Sequence, residues 1–221
     1  MTDSRKSSSG QFISSYKKYN KGIDEGFKYI SSGRDTAIAI NQNDEIFSME
    51  NVSFQDSGEI QYEWFQITGF LKSVSVHRGV AWGVNGNNQL YRQDVDVLRN
   101  ALDGWVQMDN EFGISQIEIG ELGVFGTNDD YLIFYRVGTR NNSGSPGTRW
   151  QQIPGWASHI TSGLHNVYAV SGNPGGLNYA WQMKPNTFND QTGEFEPSVS
   201  GSWTEIWERW GDRTGNNISA L

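Results

Sequence analysis

The stretch Gln66-Ile67-Thr68-Gly69-Phe70-Leu71-Lys72-Ser73-Val74-Ser75-Val76-His77, continued by Val80-Ala81-Trp82-Gly83-Val84-Asn85-Gly86-Asn87-Asn88-Gln89-Leu90-Tyr91-Arg92, decides the fold. Short runs of apolar and β-branched residues are separated by Asn/Gly-rich breaks. Alternation with a period of two marks half-buried strands, and Asn-Gly-Asn-Asn between two such runs marks a tight antiparallel turn.

The same pattern returns along the chain. W-x-[QE]-[IM] occurs at Trp64–Ile67, Trp105–Met108, Trp150–Ile153 and Trp203–Ile206. A second column reads Ile30-Ser-Ser-Gly33, Val74-Ser-Val-His77, Ile117-Glu-Ile-Gly120 and Ile160-Thr-Ser-Gly163. Its last positions are spaced by 44, 43 and 43 residues. A third column, Ile38, Trp82, Phe125 and Tyr168, varies only in apolar size and reads as core between units. Next come the turns Asn41–Asp44, Asn85–Asn88, Asn128–Asp130 and Ser171–Gly176, then another strand. One repeat is thus four short strands, a to d, in about 43 residues, the size of one β-propeller blade.

The fold class expected is all-β, a propeller of four-stranded antiparallel blades. The blade units fall near 27–67, 68–108, 109–153 and 154–206. Residues 11–26 and 207–221 are expected to share a closing fifth blade, which would protect their edge strands. Residues 1–10 read as a flexible tail before a single domain at 11–221. Four blades is the alternative; six at this period would need more than the 221 residues present.

Composition excludes several functions. The chain has 17 basic and 25 acidic residues, a net charge of −8. No basic stripe is available for nucleic acid, and charge alone gives no docking on anionic lipid. There is no cysteine, hence no disulfide, Cys-ligated zinc or thiol nucleophile. With 3 His, a metal site would have to be oxygen-rich. Met1–Gly10 is polar, and no run approaches the roughly 18 apolar residues of a spanning helix. A cytoplasmic protein, or one exported by a route without a signal peptide, is expected, with no membrane insertion. No hydrolase, zinc-protease, phosphate-loop or EF-hand pattern is present. The expectation is a non-enzyme without cofactor or metal.

The opening stretch resembles the tectonin repeat, W-x-x-I-x-G-x-L-x-x-I-S-V-G, then V-W-G-V-N, then I-Y-R. Trp150-Gln-Gln-Ile-Pro-Gly155 is similar to its first part. The resemblance implies a β-propeller lectin that recognises glycans on microbial or foreign surfaces, with one site per blade. Lectins of this size often associate into homo-oligomers, which multiplies their sites.

The residues themselves suggest where sugars would bind. In an up-and-down blade, the loops from strand d to the next strand a emerge on the same face as the b–c turns. The d–a loops carry Phe70, Phe112, Trp156 and Trp210. The turns carry Asn43, Asp44, Asn87, Asn88, Asn128, Asp129 and Asn173. A flat ring takes the C–H face of a pyranose while amides and carboxylates read its hydroxyls. The bland reading is that the rings cap the blade core and the Asn/Asp residues serve turns with φ > 0. The strand-d tryptophans read as framework. The alternative function is a protein-interaction scaffold with one docking face.

Overall fold

The computed structural model describes residues 26–33, 36–52, 61–94, 104–142, 144–163, 166–170, 179–183, 188–189, 194–195 and 207–209. Four four-stranded antiparallel sheets follow one another. Blade 1 is β1 (Phe27–Ser32), β2 (Thr36–Asn41), β3 (Glu45–Val52) and β4 (Gln61–Phe70). Blade 2 is β5 (Ser73–His77), β6 (Val80–Val84), β7 (Leu90–Asp94) and β8 (Val106–Met108). Blade 3 is β9 (Ile114–Gly120), β10 (Gly123–Asn128), β11 (Leu132–Arg136) and β12 (Trp150–Trp156). Blade 4 begins with β13 (His159–Ser162), β14 (Val167–Val170) and β15 (Ala180–Met183). After the hairpin of β16 (Phe188–Asn189) and β17 (Glu194–Phe195), it ends with β18 (Trp207–Arg209). Among the described residues no helix is long and apolar enough to cross a membrane.

The all-β propeller of four-stranded blades expected from the repeat is what forms, and the described residues make four blades. Each blade is built from neighbouring strands in chain order, so a tight turn suffices at most steps. The first Asn of the b–c turn staples it in three blades. The Asn41 side-chain oxygen accepts from the N–H groups of Asn43 and Glu45, at 3.0 and 2.9 Å. Asn85 does the same for Asn87 and Gln89, and Asn128 for Asp130 and Leu132.

Strands β1, β5, β9 and β13 line the axis, each against the next. Their inner edges are satisfied by side chains. Ser31 Oγ accepts from Val76 N at 3.0 Å, Ser73 Oγ from Ile117 N at 3.2 Å, and Ser75 Oγ from Ile119 N at 3.0 Å. Gln116 accepts from Ile160 N and donates to Ile160 O. These partners lie one repeat apart. The hydroxyls pair edge amides that would otherwise be unsatisfied.

Three apolar clusters fill the boundaries between successive blades. Ile38, Ile40, Ile46 and Ile67 of blade 1 hold Val74 and Val76 of blade 2. Trp82, Val84 and Leu90 of blade 2 hold Ile117, Phe134 and Trp150 of blade 3. Phe125, Ile133 and Ile153 of blade 3 hold Ile160 and Trp207 of blade 4. The third column is core in three blades, with Ile38, Trp82 and Phe125 at 1% exposure or less, whereas its fourth member, Tyr168, is only partly buried.

The register corrects one assignment. Trp181 pairs with Arg209 and Met183 with Trp207, so Trp207–Arg209 form strand d of blade 4, while residues 203–206 lie outside the described residues. The chain reads Trp203-Thr-Glu-Ile-Trp207-Glu-Arg-Trp210, and a local motif does not choose between its tryptophans. The sheet register does, and Trp207 is 1% exposed against blade 3. Residues 207–209 consequently belong to blade 4 rather than to a closing blade. Residues 1–25 and 210–221, which hold the expected tail and the rest of the closing blade, lie outside the described residues.

Candidate functional site

At the blade 1–blade 2 boundary the d–a loop and both b–c turns surround one groove of about 620 Å³. Its wall includes Asn43 and Asp44 from the first turn, Asn87 from the second, Phe70 from the loop, and Tyr91 and Trp105 beneath. Four of the expected site residues thus meet in one place. Phe70 is brought there by a bulge: β3 pairs Ile46 with Ile67 but Glu45 with Phe70. Gly69, between them, has φ +117°, a conformation that side chains rarely adopt. The ring is left 63% exposed. Asp44, at φ +66°, is paired with the Lys28 ammonium across the turn.

The floor of this groove was read from sequence as framework only. Trp105 is half-buried against the blade 1 core. Its indole N–H has no partner among the described residues. A Cβ on residue 69 would sit 3.8 Å from Trp105 Nε1, in ordinary contact, so the loop lies against the indole and the glycine serves the backbone conformation. The signal was the neighbouring register: the same column supplies a blade-to-blade strut elsewhere.

The blade 2–blade 3 boundary has the same parts, tied to one another. Phe112 stacks on Phe134, centroids 4.8 Å apart and planes at 20°. Asn88 Nδ2 donates to Asp129 at 3.0 Å, and this bond lowers the Asp129 pKa. Asn110 Nδ2 donates to the Asn88 carbonyl at 2.6 Å. The Asn128 side chain is committed to its turn and to the Phe112 carbonyl. The Trp150 indole donates to the Asp109 carbonyl at 3.2 Å. Arg136, also missed from sequence, grips Asp109 with two bonds of 2.7 Å and lies 5.5 Å from the Trp150 ring centre. Those bonds hold the Asp109 carboxyl below its ordinary range. At this boundary Asn88, Asn128 and Asp129 bond to one another or to the backbone, while the Phe112 ring, stacked on Phe134, is still 42% exposed.

The blade 3–blade 4 boundary repeats the first in outline. Leu132 pairs with Trp156 and Ile133 with Ile153, the same bulge, with Gly155 at φ +135°. Trp156 is 59% exposed, beside the exposed Tyr131. The Trp207 indole donates to the Pro154 carbonyl at 3.0 Å. Asn173 and Trp210 lie outside the described residues.

A second polar cluster lines the axis. Tyr29, Ser75, Glu118 and Thr161 come from four different inner strands. Ser75 and Thr161 donate to the two Glu118 oxygens at 3.2 and 3.3 Å. Burial pushes the Glu118 pKa up to about 7, and its charge helps to raise that of Tyr29. The signal was in the sequence: Ser31, Ser75, Glu118 and Thr161 form one column with a single carboxylate. Among the described residues no group of three or more His, Asp and Glu could hold a metal ion.

The tectonin domain model matches residues 6–209, which span all four blades. The chain belongs to the tectonin family. A fish-egg lectin of Cyprinus carpio is 30% identical over 147 residues, covering 64% of this chain and 61% of the carp protein. The match therefore spans less than two thirds of the relative's length. Among solved structures, human WBSCR16 superposes with a TM-score of 0.52 at 12% identity, over 76% of this chain and 50% of that one. At that identity the likeness shows the fold alone. The tectonin chain is a lectin-type propeller in architecture.

Proposed function

We propose that this tectonin-family protein binds glycans without catalysis, through grooves at its blade boundaries. The observation that carries this reading is the blade 1–blade 2 groove. There an exposed ring, Phe70, faces the turn amides and carboxylate of Asn43, Asp44 and Asn87 above the Trp105 indole, whose N–H has no partner among the described residues. A pyranose offers an apolar C–H face and a rim of hydroxyls, which match that division. Trp156 supplies a second exposed ring at the blade 3–blade 4 boundary. Each site is shallow, so one site alone binds weakly. Two sites on a rigid ring gain avidity on a surface that displays many copies of the glycan. This suits recognition of foreign surfaces in defence.

The test is a glycan array probed with the wild-type protein, Phe70→Ala and Trp156→Ala. Selective binding that weakens in either variant supports the reading. Selective binding untouched by both moves the sites elsewhere. No selective binding by folded protein overturns the lectin reading in favour of a protein-docking propeller.

A further inference from the structure

The blade 3–blade 4 boundary repeats the backbone of the blade 1–blade 2 groove but not its charges. Hydrogen bonds fix the equivalence. Leu71 N donates to Asp44 O at 2.9 Å, and Ala157 N to Tyr131 O at 2.8 Å. Lys72 N donates to Val84 O at 2.7 Å, and Ser158 N to Val170 O at 2.9 Å. Asp44 and Tyr131 share a left-handed backbone, at φ +66° and +64°. The N–H groups of Asn43 and Asp130 each bond the first Asn of their turn. Tyr131 therefore stands where the groove has Asp44, Asp130 where it has Asn43, and Ser158 where the first boundary has Lys72. Lys28 and Ser115 are the extra residues of matching bulges, each following the strand-a partner of that first Asn. Both lysines of the first boundary are thus serines at the second.

The charge balance reverses as a result. Asp44 is neutralised by Lys28. The exposed Asp130 carboxylate has no partner among the described residues. Tyr131 adjoins it, and Trp156 lies across from Leu132, so two exposed rings flank the turn. Trp181 takes the place of Tyr91, because Gly83 pairs with Tyr91 and Ala169 with Trp181. The floor donor is absent too, since the Trp207 indole is tied to the Pro154 carbonyl. The connection from β14 to β15 has no charged residue in its sequence. The Arg209 guanidinium lies 3.6 Å from the Tyr179 ring centre. That pair occupies the places of Gln107 and Gln89, neither of which lines the first groove. Aromatic faces beside a carboxylate attract a cation. We propose that the blade 3–blade 4 boundary binds a cationic group, a protonated amine or a quaternary ammonium, against Trp156 and Tyr131 with Asp130 as its counter-charge. This deepens the glycan reading and rests on it: the first groove takes neutral sugar units, and the second a charged group borne on the same surface.

Asp130→Asn removes the counter-charge and suits the turn, because Asn43 and Asn87 hold the same position in blades 1 and 2. Choline, glucosamine and N-acetylglucosamine are titrated by ligand-observed NMR against the Phe70→Ala protein, in which the first groove is disabled. The titrations are repeated with Asp130→Asn or Trp156→Ala added, and circular dichroism checks each fold. We expect choline or glucosamine to bind at least about tenfold more tightly than the uncharged N-acetylglucosamine. Each added change weakens the cation at least about fivefold. Binding of choline alone identifies a quaternary ammonium, and of glucosamine alone an amino sugar; either supports the proposal. Cation binding that survives both changes overturns it, as does N-acetylglucosamine bound as tightly as the cations, or no cation bound by folded protein. The glycan array keeps the two readings apart. Neutral glycans bound on the array without any cation in the titrations leave the lectin standing and sink this site. A cation bound here by a protein that selects no glycan keeps the site and sinks the lectin reading.

Discussion

Trp105 and Trp150 occupy the same place in neighbouring blades, yet of the two only the Trp150 indole is tied to a carbonyl among the described residues, that of Asp109 at 3.2 Å. The Trp105 indole faces a groove instead. One residue type at one register position is thus a strut at one boundary and a donor available to a ligand at the other. The difference follows from what lies over each ring.

Replacing each tryptophan by phenylalanine separates the two roles. Trp105→Phe removes a donor from the proposed site, and a lost hydrogen bond of about 1 kcal/mol weakens glycan binding roughly fivefold. Its melting temperature stays near that of the wild type. Trp150→Phe leaves the Asp109 carbonyl short of a donor and costs about 1–2 kcal/mol of stability, with little change in affinity. Binding titrations and urea melts of both variants check this.

The two phenylalanines of the d–a loops divide in the same way. Phe70→Ala removes an exposed ring, so affinity falls by about 1 kcal/mol, roughly fivefold, while stability changes little. Phe112→Ala removes a ring stacked on Phe134 and is expected to destabilise by about 1–2 kcal/mol without weakening binding. Equal losses of affinity in the two variants would contradict the distinction between an open and a tied boundary.

Glu118 makes stability depend on pH. Its folded pKa, about 7, lies above the ordinary carboxyl value, so the folded state holds the proton more tightly than the unfolded chain. That stabilisation is complete below about pH 4.5 and is lost as pH rises through about 7. At 1.36 kcal/mol per unit, the loss amounts to about 3 kcal/mol. Glu118→Gln removes this dependence and raises stability at pH 8 by up to that amount. Urea melts of both proteins from pH 5 to 8 measure it, and parallel curves would refute the assignment.

Arg136 is almost wholly buried, with 3% of its side chain exposed, and Asp109 is its ion-pair partner. The Asp109 side chain is itself 54% exposed, so water screens the pair and Asp109→Ala costs about 1 kcal/mol, well below a fully buried pair. Asp109→Asn keeps one acceptor and recovers part of the loss. Thermal melts of the two variants rank them.

The sequence by itself determined the blade. Its 43- to 44-residue spacing, period-two strands and Asn turns required repeated antiparallel four-stranded units. These signals are local: alternation, turn chemistry and the Gly before Phe70 and Trp156 act within a few residues. The tertiary structure decided which repeated parts share one fate. It put Trp207 in strand d of blade 4, buried against blade 3, and left the groove over Trp105 open while Arg136 and Asp109 pair at the next boundary. It also placed Glu118 among hydroxyls from two other blades, where burial raises its pKa. Each of these outcomes depends on partners well outside the local strand or turn, and contacts at that distance are set by the packing of blade on blade.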